Sequence, residues 1–553
     1  MYFASCRPTR SEPRPSGRRS LFIVAALLAL VLAGASAPSS RTGDASLGRL
    51  VIGVRGDISS FNLYTATNAF SQDVIDLLDA KLANEQDDFG QGPPTFRPSL
   101  ATSWEFSQDR RTLTFHLDPK ARWSDGKEVT SADVLFTQKV AASPEVGWVG
   151  SDVKEPIDDV KAIDPHTVVV RFKSSYPYQL MDAVEGNILP AHAYASIPLS
   201  EWPKQAFLDV PTSSGPFLLK RYERGAVIEL VRNPKYFRSP LPRLDTVIFR
   251  VLPDEATLVN ELLSGGIDFM ENVPADALAK IKANPRLKIV RVPDLSYTFI
   301  SWNCSRPLFS EARVRRALTL AIDRQAIIEG LLPGIGRPSA GPILSFVWAH
   351  DAALKPPPYD PAGARKLFKE AGWEDRDGDG VLEKDGKPFR FELETNQGSS
   401  LRSDVVQMVA EQLKRVGVEA VPRIFEFSAF IARHEKHDYD AFVSSWREST
   451  KVDLKSAFHS ASRAGGYNYG LYSSPELDPI IDRARLENDD ATARGLWARA
   501  QQIITRDQPL TFLFERDRLN AVPRNLGGLR PSPRSAYAGL EEWFLESPPR
   551  EKP

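Results

Sequence analysis

Leu113, Phe115 and Leu117 alternate with Thr114 and His116, a period of two that gives one strand face an apolar surface. Asp125-Gly126 then predicts a turn. Thr130, with Asp133 three residues on, predicts the capped start of a helix carrying Val134, Leu135 and a buried Phe136. Leu50 to Asp57 reads as a buried first strand, Phe61 to Leu82 as a loop leading into a helix, and Thr167 to Phe172 as a further strand. Thr212 to Phe237 predicts two strands around a short turn at Glu223-Arg224-Gly225.

Further on, the pattern switches between periods of 2 and 3.6. Arg243 to Ile281 predicts strand, helix, short strand and helix, with Asp254 capping the first helix, Gly265 ending it and Pro274 starting the next. Val314, Ala317, Leu318, Ala321 and Ile328 lie close to one helical face, with Arg313, Arg316 and Asp323 directed elsewhere. Asp360 caps and Pro361 starts a helix in which Ala364, Leu367, Phe368 and Ala371 pack and Gly372 stops the run. Ser403 to Val421 repeats that logic, ending at Gly417 before a strand. Interleaved strands and helices without an internal repeat define an α/β chain.

The 553 residues are too many for one compact core and suit two or three lobes. The first 37 differ in kind. Arg7, Arg10, Arg14, Arg18 and Arg19 precede an apolar run from Leu21 to Ala33, and Ala33-Gly34-Ala35 and Ala35-Ser36-Ala37 offer small-residue cleavage sites. The run is short for a membrane span, so it reads as a cleaved export signal. Pro38 disfavours the second site. Arg18-Arg19-Ser20-Leu21-Phe22 also fits a loose twin-arginine pattern, so the export route is Sec or Tat. No cysteine stands near the cleavage region to carry a lipid, and Cys304 alone remains after Cys6 is lost, so a free, disulfide-less periplasmic protein is expected. The leader takes five Arg and one Glu of the 70 basic and 71 acidic residues, moving the formal charge from −1 to −5. That mildly acidic balance argues against nucleic acid or anionic membrane as partner.

Catalytic signatures are missing: there is no phosphate-binding Walker loop, Gly-x-Ser-x-Gly elbow, dinucleotide fingerprint, His-Glu-x-x-His or Cys-x-x-Cys. A secreted hydrolase stays as the rival class, and it would need a nucleophile and base that the pattern does not supply. His434 and His437 make an incomplete metal pair, read as a solvated helix face. Asp375, Asp377 and Asp379 alternate as in a calcium loop, but position twelve from Asp375 is Gly386 where an EF-hand needs Glu. A glycine-favoured turn is the expected role of that segment. No cofactor is implied.

Several stretches resemble the family 5 extracellular solute-binding proteins of ABC importers: LATSWEFS and WSDGKEVTSADVLF within Pro98 to Phe136, TSSGPFLLKRYERGAVIELVRNPKYF from Thr212, YTFISWNCSRPLFSEARVRRALTLAIDRQAII from Tyr297, KHDYDAFVSSWRESTKVDLKSAF from Lys436, and GGYNYGLYSSPELDPIIDRA from Gly465. The resemblance spans about residues 50–545. It implies the type II periplasmic-binding-protein fold: two lobes of mixed β-sheet flanked by helices, two hinge crossings, and an extra peripheral subdomain in the first lobe. Residues 1–37 are then the signal and 38–49 a linker. Residues 50–97, 212–295 and 508–545 form lobe I, with 98–211 as its subdomain, and 296–507 form lobe II. The crossings are expected near Asp294 to Tyr297 and Thr505 to Leu510.

By the same resemblance the chain is a monomeric receptor that captures a small solute, foremost a short peptide, and hands it to a membrane permease. A nickel chelate, an oligosaccharide or an opine is the alternative ligand. The expected site collects Trp446, Arg447, Glu448 and Asp453 at a strand end, Asn396 and Gln397, Tyr467 and Asn468, and Thr67 and Asn68 in the loop before the first helix. Trp446 suits a flat apolar wall or plain core packing. A carboxylate in its loop receives the peptide amine in dipeptide binders through a charge-assisted hydrogen bond. Here the usual Asp-Pro is Asp453-Leu454, and Arg447 and Glu448 replace small glycines. Asp453 or Glu448 takes an amine, or Arg447 takes a carboxylate.

Overall fold

The structure is a computed structural model that describes residues 48–207 and 211–546. The expected leader, with its cleavage sites, lies outside the described residues. Local chemistry explains many element ends. Thr112–Leu117 buries every second residue, and the helix Ser131–Ala141 opens with the Thr130/Asp133 capping box. Phe136 is half-buried against Trp202 instead of deep in a core. Asp254 accepts from the Thr257 N–H to cap Glu255–Ser264, which ends at Gly265 with φ +87°, and Asp360 accepts from the Gly363 N–H ahead of Pro361–Glu370.

Two local expectations shift. Pro274 begins a turn, with the helix itself confined to Leu278–Ala283. The Val314 to Ile328 face belongs to two helices, Ala312–Leu320 and Arg324–Leu331, because Asp323 turns out of the first and caps the second through the Ala326 N–H. His434 is not solvated either. It is buried against Phe430 and Phe442, since the histidine side of Phe427–Glu435 faces the sheet.

Among the described residues one mixed sheet of eleven strands runs through the protein. At one end Glu419–Phe425, Arg390–Asn396 and Ala441–Arg447 lie parallel. At the other, Arg49–Val54 lies parallel to Thr246–Val251 and Phe269–Met270, followed by the hairpin Val227–Arg232 and Phe217–Glu223. Two long antiparallel strands, Leu287–Trp302 and Leu510–Pro523, join the ends. Separate cores form: Phe391, Leu393, Val405 and Val409 at the first end, and Ile52, Phe217, Phe249 and Trp543 at the second. A four-stranded antiparallel sheet ordered Ala101–Phe106, Thr112–Leu117, Thr167–Phe172, Ile157–Asp164 packs around Trp123 and Phe115.

The long strands change register between the pairs Pro293–Asp517 and Tyr297–Glu515. A break in pairing sits there on both strands, so the partner of 294–297 is 515–517. Residues 505–510, the expected second crossing, hold the end of helix Asp490–Asp507 and the start of the strand. Gln508 takes the left-handed conformation that stops that helix. A hairpin loop, 86–95, also leaves the short pair Ala83–Glu85 and Phe96–Pro98 and buries Phe89 among Leu344, Val347 and Trp348. Its carbonyl accepts from the Trp348 N–H at 2.8 Å, and Arg494 holds the Gln91 carbonyl at 2.9 Å.

Candidate ligand-binding cleft

The strand Ala441–Arg447 delivers residues 446–453 towards the other end of the sheet. Trp446 is half-buried, its ring 4.5 Å from that of Phe299 and edge-on to Tyr297 and Phe458, so much of it is core. Arg447 reaches across: it donates to the Arg534 carbonyl at 2.7 Å and pairs with Asp294 at 3.6 Å. The Glu448 N–H donates to the Leu295 carbonyl at 2.7 Å. Burial pushes the Glu448 carboxyl up to about 7, partly offset by the hydrogen bond from Tyr297.

The next residues bind directly to the four-stranded-sheet region. Lys451 Nζ lies 2.9 Å from both carboxylate oxygens of Asp182, which is 1% exposed and also accepts from the Tyr176 hydroxyl. Burial raises the Asp182 carboxyl and Lys451 opposes the shift. The Val452 N–H donates to the Tyr178 hydroxyl at 3.1 Å. Asp453 turns away: it caps the Lys455 N–H at 2.8 Å and pairs with Arg485 Nε at 2.8 Å.

The remaining sequence candidates scatter. Asn396 is buried, donating to the Gln397 carbonyl and accepting from Arg402, while Gln397 is exposed. Asn468 spends its amide inside its own loop, on His459, Tyr472 and the Tyr472 N–H, whereas Tyr467 is exposed. Asn68 caps the helix Ala69–Leu78 and holds the Asp57 carbonyl; Thr67 is exposed beside it. Of the ten candidates, Arg447 lines the larger of the two cavities described next.

Two cavities meet where these segments face each other. One, of about 530 Å³, is bounded by Arg447, Glu271, Arg518 and Asp73; the other, of about 280 Å³, by Asp73, Asp76, Asp79, Lys81 and Glu85. Gln72, Asp73, Arg534, Ser535 and Tyr537 line both. Sequence reasoning missed Asp73, Asp76 and Asp79, although their spacing of three places them along one side of the helix, a legible signal. Arg534 carried no comparable signal. It is tied to Asp87 at 2.8 Å and to the Glu85 carbonyl.

Asp375, Asp377 and Glu383 bring carboxylate oxygens within 4.8 Å of one another. Their oxygens already accept backbone N–H groups: Gly378 and Gly380 on Asp375, Asp379 on Asp377, Arg376 on Glu383. The turn is therefore closed by its own chain. A chelator is expected to leave the thermal melt unmoved; a fall of many degrees that calcium reverses would contradict this.

A mixed α/β molecule of two lobes joined by paired strands, with Arg447 of one lobe entering a charged cavity walled by the other, has the architecture of a solute-binding protein. The chain belongs to the bacterial extracellular solute-binding proteins, family 5, whose model matches residues 95–468. The oligopeptide-binding protein AppA of Bacillus subtilis is 31% identical over 544 residues, covering 96% of this chain and 99% of that protein. The AppA structure in complex with a nonapeptide superposes with a TM-score of 0.76 at 32% identity, over 90% of this chain and 99% of that one. NikZ of Campylobacter jejuni in complex with Ni(L-His) shares the fold, with a TM-score of 0.76 at 22% identity over 90% of this chain and 99% of its own. The family consists of binding proteins rather than enzymes, its members are extracytoplasmic, and no helix among the described residues is long and apolar enough to cross a membrane.

Proposed function

We propose that this chain is the periplasmic peptide receptor of an ABC importer, exported through a cleaved signal and closing on its ligand between two lobes. The lobe division follows the pairing break: 50–97, 212–293 and 517–545 move with the 98–211 subdomain, against 297–515. The observation that carries the reading is Arg447, which leaves the end of a lobe II strand and enters the larger cavity opposite Asp73. A strand end that empties into a crevice is where open α/β sheets hold ligands. Trp446 backs that strand end, and the half-buried Glu448 beside it fixes the loop through its N–H on the Leu295 carbonyl. Asn396, Gln397, Tyr467, Asn468, Thr67 and Asn68 serve as framework or rim. Asp453 serves the loop's own fold through Arg485.

Similarity to AppA along nearly its whole length supports peptide over nickel chelate or opine as the ligand class. Native mass spectrometry of protein purified from the periplasm is expected to show co-purified peptide mass, and N-terminal sequencing to begin near Ser36. Titration of Arg447→Ala with peptides up to the nonapeptide is expected to show affinity lowered about tenfold or more, the scale of one charge-assisted contact. Turnover of those peptides by the wild type would instead restore the hydrolase reading.

A further inference from the structure

Nearly every charged group at the junction of the two cavities already has a partner. Lys81 pairs with Asp76 at 3.2 Å, Arg518 with Glu271 at 2.9 Å, Arg534 with Asp87 at 2.8 Å, and Arg447 with Asp294 at 3.6 Å. Asp73 is different. Among the described residues it forms no ion pair; the Ser535 hydroxyl hydrogen-bonds to it, and Arg447 attracts it from beyond contact. It stands on the helix Ala69–Leu78 at the wall common to both cavities. A half-buried carboxylate on a cavity wall without a counter-charge invites a cation. Burial accordingly pushes its carboxyl up to about 7. Asp79, at the C-terminal end of the same helix and also without an ion pair, lines the smaller cavity alone, where a backbone N–H at Ser214 serves it.

We propose that Asp73 is the ammonium anchor of the ligand cleft, receiving a cationic nitrogen of the bound peptide beside the Ser535 hydroxyl. This assignment rests on the receptor reading above. It moves the amine contact from the Trp446 loop, where Asp453 is committed to Arg485, to the first helix of the opposite lobe. The cationic nitrogen has two sources, the peptide's N-terminus or a lysine side chain.

The test is a calorimetric cycle. Wild type, Asp73→Asn and a control, Asp404→Asn, at an exposed residue outside both cavities, are titrated with alanine peptides up to the nonapeptide, free and N-acetylated, and with acetylated versions carrying one lysine. Asp73→Asn should weaken free-amine peptides about ten- to a hundredfold, the scale of a desolvated charge-assisted contact, and acetylation should then cost nothing further. Asp404→Asn should bind like wild type. Thermal melts check that each variant folds; an Asp73→Asn variant that fails to fold is replaced by Asp73→Ser, judged by the same loss of sensitivity to acetylation. If acetylation leaves wild-type binding unchanged but lysine peptides depend on Asp73, the side chain is the source. Peptides that bind both proteins equally overturn the anchor and spare the receptor reading. A wild type that binds none of the peptides overturns both.

Discussion

Lys451→Met is expected to hold the protein open. Removing the lysine leaves Asp182 enclosed at 1% exposure, with the Tyr176 hydroxyl as its remaining partner and Lys154 committed to the Asp182 and Glu185 carbonyls. Breaking a buried pair from one side costs about 3–5 kcal/mol, because the surviving charge is stranded. That cost falls on the arrangement in which the 451–453 loop meets the 176–182 segment, and so favours their separation. Scattering should report a larger radius of gyration than wild type, and calorimetry a peptide affinity lowered about a hundredfold. The pH dependence has a definite sign. Burial already raises the Asp182 carboxyl in the closed state, and losing Lys451 raises it further. The penalty is therefore complete above that raised value and fades as pH falls through it and the carboxyl takes a proton. Asp182→Asn in the same chain should recover most of the closure. An unchanged radius and affinity in Lys451→Met would remove this pair from the closing mechanism.

Arg315→Met is expected to be the most destabilising single change proposed. The guanidinium is 4% exposed and donates to the Phe309, Ser310, Asp507 and Gln508 carbonyls at 2.6–3.1 Å. It thereby ties the end of helix Asp490–Asp507 to the loop ahead of Ala312–Leu320. Methionine fills similar volume but strands these acceptors, each costing about 1–3 kcal/mol when left dry. Partial rescue by water leaves a net loss of about 4 kcal/mol, in the range reserved for a dismantled buried network. Denaturant melts followed by tryptophan fluorescence should show the transition of that half moving first. Arg315→Lys should recover only part, because an ammonium cannot span carbonyls that a planar fork reaches together. A variant within about 1 kcal/mol of wild type would show that these bonds are redundant.

What the sequence disclosed about this molecule was mostly what acts over a few residues. Asp254, Asp360 and the Thr130/Asp133 box start helices through bonds to backbone three positions away. Such geometry is written in the local order of side chains. The site depends on partners far apart in the chain: Lys451 and Asp182 are separated by 269 positions, Asp453 and Arg485 by 32. No spacing rule announces that Asp453 is already occupied. The pairing break proposed as the second crossing was hidden for another reason: Leu510–Pro523 is one unbroken strand, and its break is one of register against a neighbour, not of sequence pattern. Asp73 stood in plain view within a stripe of acids, yet only its lack of a partner distinguishes it from Asp76, and a lack of partner is a property of the folded surroundings.

The Phe89 hairpin loop adds a mechanical constraint. Paired strands alone would let one half bend, slide and twist against the other. Phe89, sunk among Val347 and Trp348 with its carbonyl on the Trp348 N–H, pins the halves at a second place. A body pinned at two separated places swings about the line through them and does little else, as a door does on its frame. A receptor that kept the Phe89 contact while Lys451 left Asp182 would move along one coordinate, and a downstream transporter would need to read a single angle.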